Sequence, residues 1–165
     1  MHNEPDIRVA PVEASHRPAL LRLRVHEPQR DFVGDIASLL ADADSCPSSE
    51  PMTILHGDTP IGFYRIETQA RCITGGDFAR PTLGLRSFFI DRQWQGRGLG
   101  APVLAALLGD LALRHPQARD LVLTVNVRNT VGIALYRRAG FVDTGELYHG
   151  GRSGPQHLLV RALSV

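Results

Sequence analysis

Gln95-Gly96-Arg97-Gly98-Leu99-Gly100 places glycines at alternate positions between a strand-like run, Leu85 to Ile90, and a helix-like run, Leu99 to Arg114. Glycine lets the backbone turn tightly and come close to a ligand, and a helix start offers unpaired N–H groups with a partial positive charge. The chemistry such a place supports is phosphate binding. Residue order separates the kinds of phosphate loop. A nucleotide-hydrolase loop needs Gly-Lys-Ser/Thr after its last glycine, but Gly100 is followed by Ala101 and Pro102. A dinucleotide fingerprint spaces its glycines Gly-x-Gly-x-x-Gly at the first strand–helix turn, whereas this turn lies beyond the midpoint and runs Gly-x-Gly-x-Gly. A glycine-rich turn with no ligand is the alternative.

Two further groups of residues could serve a reaction. Asn129 can cap a helix that follows an apolar, β-branched run, Leu121 to Val127, and Gly140 closes that helix before Phe141-Val142 starts another strand. Upstream, Glu27, Asp31 and Asp35 recur at i, i+4 and i+8, so on a helix they share one face. Such a face is either simply solvated, opposite the Phe32/Ile36/Leu39 stripe, or a wall that holds a cation.

The elements that must position these residues follow an α/β pattern. Ile7 to Val12 reads as a strand, and Ser15 as the cap of an arginine-rich helical stretch to about Arg24. Phe32, Val33, Ile36, Leu39 and Leu40 predict one amphipathic helix over Gln29 to Ala43, broken by the stretch from Ser45 to Pro51. Thr53 to His56 and Ile61 to Glu67 read as a hairpin around Gly57-Asp58, and Gly75 to Pro81 as a loop. Phe141 to Tyr148 and Gln156 to Leu163 are the closing strands.

Composition excludes several function classes. With 165 residues, 43% of them hydrophobic, the chain can bury one good core, and no linker divides it, so residues 1–165 read as a single domain. A formal net charge of +1 argues against a nucleic-acid binder. Every basic residue other than histidine is Arg, which reads as a GC-rich, bacterial-like genome rather than a functional feature. Cys46 and Cys72 form neither a metal spacing nor a disulfide framework, which fits thiols in a reducing compartment. Met1 to Asp6 is polar and no apolar run reaches membrane-spanning length, so the expectation is a cytoplasmic protein with no membrane partner and no metal.

The order Gln-x-x-Gly-x-Gly at Gln95 to Gly100 resembles the pyrophosphate loop of the GNAT family of N-acetyltransferases. Asn126 to Phe141 resembles that family's second motif, Asn-x-x-Ala-x-x-x-Tyr-x-x-x-Gly-Phe. Leu135-Tyr136 and Gly140-Phe141 fall where expected, while Ala134 lies two residues before Tyr136 and Gly132-Ile133 departs from the usual spacing. Leu21 to Val33, Ser38 to Leu40 and Gly57 to Phe63 are similar to the polyamine and spermidine N-acetyltransferase-like branch. At the carboxy-terminal end the chain departs from it, with Gly150 to His157 where Gly-Glu commonly enters the last strand.

This resemblance implies a mixed, mostly antiparallel sheet of about six to seven strands flanked by about four helices. It also implies acetyl transfer from acetyl-CoA to a primary amine, such as a polyamine or another small molecule. A protein or peptide N-acetyltransferase, or an acyl-CoA-binding module without turnover, is the alternative, and a homodimer is left open. By the same resemblance Phe88, Phe89 and Ile90 hold the pantetheine arm through backbone pairing. Gln95 and the turn from Gly96 through Arg97, Gly98, Leu99 and Gly100 to Ala101 hold the pyrophosphate, with the Arg97 guanidinium offered to phosphate oxygens. Asn129 contacts the cosubstrate, caps its helix, or does both. Tyr136 is implied as the acid that protonates the leaving thiolate. The base is open between Glu67, His149, the Glu27/Asp31 face and a water chain, and Glu27 and Asp31 are the candidate contacts to a cationic acceptor.

Overall fold

The computed structural model describes residues 6–151 and 153–163, apart from the side chain of Asp31. Met1 to Pro5 and Arg152, both within segments read above, lie outside it. Seven strands make one sheet: β1 (Ile7–Pro11), β2 (Ser49–His56), β3 (Thr59–Glu67), β4 (Thr82–Ile90), β5 (Asp120–Asn126), β6 (Val142–Tyr148) and β7 (Gln156–Ala162), in the order β1-β2-β3-β4-β5-β7-β6. All neighbours are antiparallel except β4 and β5, so the sheet is of the mixed, mostly antiparallel kind expected. The helices are α1 (Arg17–Leu20), α2 (Arg30–Val33), α3 (Ile36–Ser45), α4 (Arg71–Thr74), α5 (Gly100–Arg114) and α6 (Thr130–Arg138).

Alternation along β2 and β3 feeds two cores. Met52, Ile54, Tyr64 and Ile66 point to the face covered by Val103, Leu104, Leu107 and Leu111 of α5, whose spacing puts them on one helical side. Phe63 points the other way, into a cluster with Leu20, Leu23, Ile36 and Leu40 from α1 to α3. Each fully buried leucine contributes about 1.5–3 kcal/mol relative to exposure.

The predicted helix over Gln29 to Ala43 is not continuous. Gly34 takes φ 89° and ends α2, and the Asp35 carboxylate then accepts from the Ser38 N–H at 3.1 Å to start α3. Glu27 therefore sits in a 3-10 turn, Asp31 in α2 and Asp35 at the cap of α3, and the three share no helical face. Ser15 is also not a cap. It lies inside a 3-10 turn closed by the Glu13 N–H donating to His16 Nδ1 at 3.0 Å, and α1 stops at Leu20 rather than running to Arg24.

What makes a site is the way β4 and β5 part. They pair only through Thr82 with Asp120, Leu83 with Leu121, and Gly84 with Val122. Beyond Gly84, β5 stays with β7 as far as Asn126, while β4 stays with β3. A register shift against β3, with Ser87 at φ 58°, bulges β4 between Arg86 and Phe89, beyond the point of separation. The backbone of β4 from Leu85 to Ile90 thus has a free edge toward β5.

Candidate active site

The glycine turn follows directly from β4. Asp91, buried, accepts from the backbone N–H of Arg24 at 2.7 Å and of Gln93 at 3.2 Å, which ties the turn to the segment after α1. Gln95 Nε2 donates to the Ile90 carbonyl at 2.7 Å, and its amide exchanges two hydrogen bonds with Gln29, at 2.9 and 3.0 Å. Gly96 and Gly98 both take φ 73°, a conformation that side chains disfavour. The outcome is a run of backbone N–H groups, Arg97 to Ala101, that meet no acceptor among the described residues. At the N-terminus of the fifteen-residue α5, such a run suits an anion. Arg97 is exposed, with its guanidinium 4.8 Å from the centroid of the Trp94 ring.

Two clefts flank the free edge of β4. One, of about 300 Å³, is lined by Phe88, Phe89, Ile90, Gln95, Gly96, Gly98, Leu99, Gly100, Asn129 and Tyr136, and so gathers most of the residues expected to hold the cosubstrate. Another, of about 390 Å³, opens between β4 and β5. Phe32, Val33, Phe88, Asn129 and Tyr136 line both, so Tyr136 stands where the two meet. The Tyr136 ring is fixed edge-on between Phe88 and Phe141, with centroids 6.1 and 5.6 Å away, and is 9% exposed. Burial pushes its phenol well above the usual tyrosine range, which keeps the hydroxyl protonated. Asn129 Oδ1 accepts from the Gly132 N–H at 3.0 Å, so the capping role read from the sequence is present. Gly132 is needed there, since a Cβ would lie 2.6 Å from Asn129 Nδ2.

The candidate carboxylates lie elsewhere. Glu67 is 0% exposed and lines neither cleft; its Oε1 accepts from Ser49 Oγ at 3.1 Å, lies 3.2 Å from Arg65 Nη2 and stands 3.5 Å from Arg86 Nη1. Glu27 is exposed, sits 3.4 Å from Arg30, and borders a separate hollow that also includes Asp35. The side chain of Asp31 lies outside the described residues. His149 follows β6 and lines neither cleft.

Sequence reading did not single out Arg86, Asp91 or Trp94. Asp91 was the most accessible of these, an acid directly after a strand and before a glycine turn. Arg86 needed the cross-strand register, in which it faces Arg65 and reaches Glu67.

The family model for "Acetyltransferase (GNAT) family" matches residues 14–141. A spermine/spermidine N(1)-acetyltransferase of Bacillus subtilis (strain 168) is 30% identical over 147 residues, covering 88% of this chain and 93% of that protein. The solved spermidine N-acetyltransferase from Vibrio cholerae, in complex with CoA and spermine, is similar with a TM-score of 0.71 at 14% identity, over 96% of each chain. Aminoglycoside N(6')acetyltransferase from Legionella pneumophila gives a TM-score of 0.74 at 14% identity, over 98% of this chain and 94% of its own. At such identities the two structures speak for the fold.

Proposed function

The chain belongs to the acetyltransferase (GNAT) family and is an acetyl-CoA-dependent N-acetyltransferase, and from that premise we propose how its residues divide the work on a small-molecule primary amine. Acetyl-CoA supplies an activated acyl group as a thioester. The free backbone edge at Phe88 to Ile90 holds the pantetheine arm. The unpartnered N–H groups around Gly96 to Ala101 hold the pyrophosphate, with Gln95 fixing the turn and Arg97 reaching a phosphate oxygen from outside. Asn129 borders the same cleft while capping α6.

The acceptor enters between β4 and β5. Its nitrogen lone pair attacks the thioester carbonyl, a C–N bond forms, the C–S bond breaks, and the thiolate takes the Tyr136 proton. The amine sheds its own proton to water in the open cleft. Glu67 enters this reading as a positioning residue behind Arg86 and not as the base, because its Oε1 is bound by Ser49 and faces two arginines. Cys46 and Cys72, free thiols, support placing the reaction in the cytoplasm.

The observation that carries the assignment is the position of Tyr136 on the boundary shared by the two clefts. The test is thiol release from acetyl-CoA over a panel of polyamines, amino acids, aminoglycosides and peptides, with product mass measured. Transfer to a small amine supports the reading. Transfer only to peptides, or binding of acetyl-CoA with no turnover, overturns it.

A further inference from the structure

We propose that the acceptor is an amine that also bears a carboxylate, an amino acid or a close relative, and that Arg86 is the residue that receives this carboxylate. The inference rests on the acyl-transfer reading above and narrows its substrate class.

Among the described residues, Arg86 is the one charged side chain lining the cleft between β4 and β5, and no Asp or Glu lines it. Its polar partners there are neutral, among them Ser87, Thr124, Asn126, Tyr148 and Gln156. The Arg86 side chain is 41% exposed, so its head is neither buried nor free in bulk water.

The guanidinium is held from behind. Glu67 Oε1 lies 3.5 Å from Nη1, and Glu67 is itself fixed by Ser49 and Arg65. Arg65, 1% exposed, is matched from the far side by Asp42 Oδ2 at 2.7 Å. Of these four charges, therefore, only that of Arg86 is presented to the cleft. Its remaining N–H donors meet no acceptor among the described residues, which leaves part of the guanidinium fork open to a planar, bidentate acceptor. One bulged residue, Ser87, separates Arg86 from Phe88, whose ring rests on Tyr136. An amine at the cleft junction and a carboxylate at Arg86 would thus occupy the same cleft, which Arg86 and Tyr136 both line.

A polyamine meets the opposite situation. Each of its charged nitrogens needs a carboxylate or a cluster of acceptors, and here it would meet a like charge at short range in a partly desolvated cleft. Two of the acids expected to hold a cation stand apart from this cleft. Glu27 and Asp35 border another hollow, and Gly150 to His157 brings no acid to the described lining.

The test is a matched panel. Each proteinogenic amino acid is offered beside its amide, methionine beside methioninamide for instance, with spermidine and kanamycin included. At least one acid is expected to be acetylated with kcat/KM about ten- to a hundredfold above its amide, the range of a hydrogen bond to a charged group. Arg86→Gln should bring that ratio close to one while leaving the KM for acetyl-CoA unchanged, and Arg86→Lys should restore part of it. Should Arg86→Gln fail to fold, the acid-to-amide ratio of the native enzyme still decides. Equal rates for acid and amide, a preference for spermidine or kanamycin over every acid, or acetyl-CoA binding with no acid acetylated would each overturn the proposal while sparing the cosubstrate site. Absence of acetyl-CoA binding would overturn the acyl-transfer reading as well.

Discussion

A Cβ placed on Gly100 would stand 2.7 Å from Leu135 Cδ1, so the first residue of α5 and the middle of α6 meet with no room between them. Leu135 also lines the cleft proposed to hold the cosubstrate, so displacing its side chain alters the space beside the glycine turn. Gly98 is constrained in another way. Nothing lies within 4 Å of its would-be Cβ, but its φ of 73° resists a side chain.

Both glycines should therefore be required for acetyl-CoA, for different reasons. A ligand that binds only the folded protein, at about 100 times its Kd, adds about 2.7 kcal/mol of stability. The native chain should show the corresponding rise in Tm with acetyl-CoA. Gly98→Val is expected to lose it through the altered turn, and Gly100→Val through the displaced Leu135. Differential scanning fluorimetry with and without acetyl-CoA reads both, and a variant that keeps the full rise would put the phosphate site elsewhere.

Tyr136→Phe keeps the ring between Phe88 and Phe141 and removes only the hydroxyl. Positioned proton transfer contributes about a hundredfold to ten-thousandfold, so kcat should fall by about a hundredfold while the Kd of acetyl-CoA barely moves. The raised pKa of Tyr136 adds a pH expectation. A proton donor works while protonated, so raising its pKa extends its working range upward. The native kcat should show no loss from Tyr136 ionisation up to about pH 10, the ordinary tyrosine value. A decline centred well below that, absent from Tyr136→Phe, would show that the phenol ionises normally.

The parts of this site legible in the sequence are those written in local backbone chemistry. Gly96, Gly98 and Gly140 all take positive φ, and Asn129 bonds Gly132 three residues on, so their roles follow from neighbours in the chain. The break at Gly34 was hidden because Phe32, Ile36, Leu39 and Leu40 keep helical spacing across it, and one glycine costs a helix only about 1 kcal/mol. The cap of Asp35 on Ser38 decided the matter. Ser87 carries no mark of a bulge, since the shift arises from pairing with β3. The reach of Arg86 to Glu67 depends on the same long-range register, which no window of a single strand contains.

Asp42 supplies a pH test of the buried network. Its carboxyl is held below the usual carboxylate range, first by the hydrogen bond from Arg65, then by the charge of Arg65 and that of Arg86. A depressed folded-state pKa means the stabilisation is present above the unfolded value, about 3.9, and is lost as pH falls through the folded value. Asp42→Asn should thus be less stable than the native chain at pH 7 and draw level with it as the pH falls from about 4. The difference at pH 7 should be modest, because the Asp42 side chain is 62% exposed and screened by water. Urea melts at a series of pH values measure it, and a gap independent of pH would mean that Asp42 contributes through packing and not charge.

Tyr64 offers the opposite case, a polar atom whose removal should not hurt. Its ring is 0% exposed in the core under α5, and its hydroxyl is buried with no hydrogen-bond partner among the described residues. Burial pushes the phenol far above its ordinary value, so the group is a neutral hydroxyl throughout. An unsatisfied buried hydroxyl costs about 1–3 kcal/mol, whereas the phenyl ring beside Phe88, with centroids 6.4 Å apart, contributes by packing alone. Tyr64→Phe should therefore leave the Tm unchanged or raise it, and Tyr64→Ala should lower stability by about 3–5 kcal/mol through the cavity it opens. Chemical denaturation of the three proteins decides. A loss of more than about 1 kcal/mol in Tyr64→Phe would show that the hydroxyl gains a partner, such as an internal water, whose bond outweighs the cost of burying it.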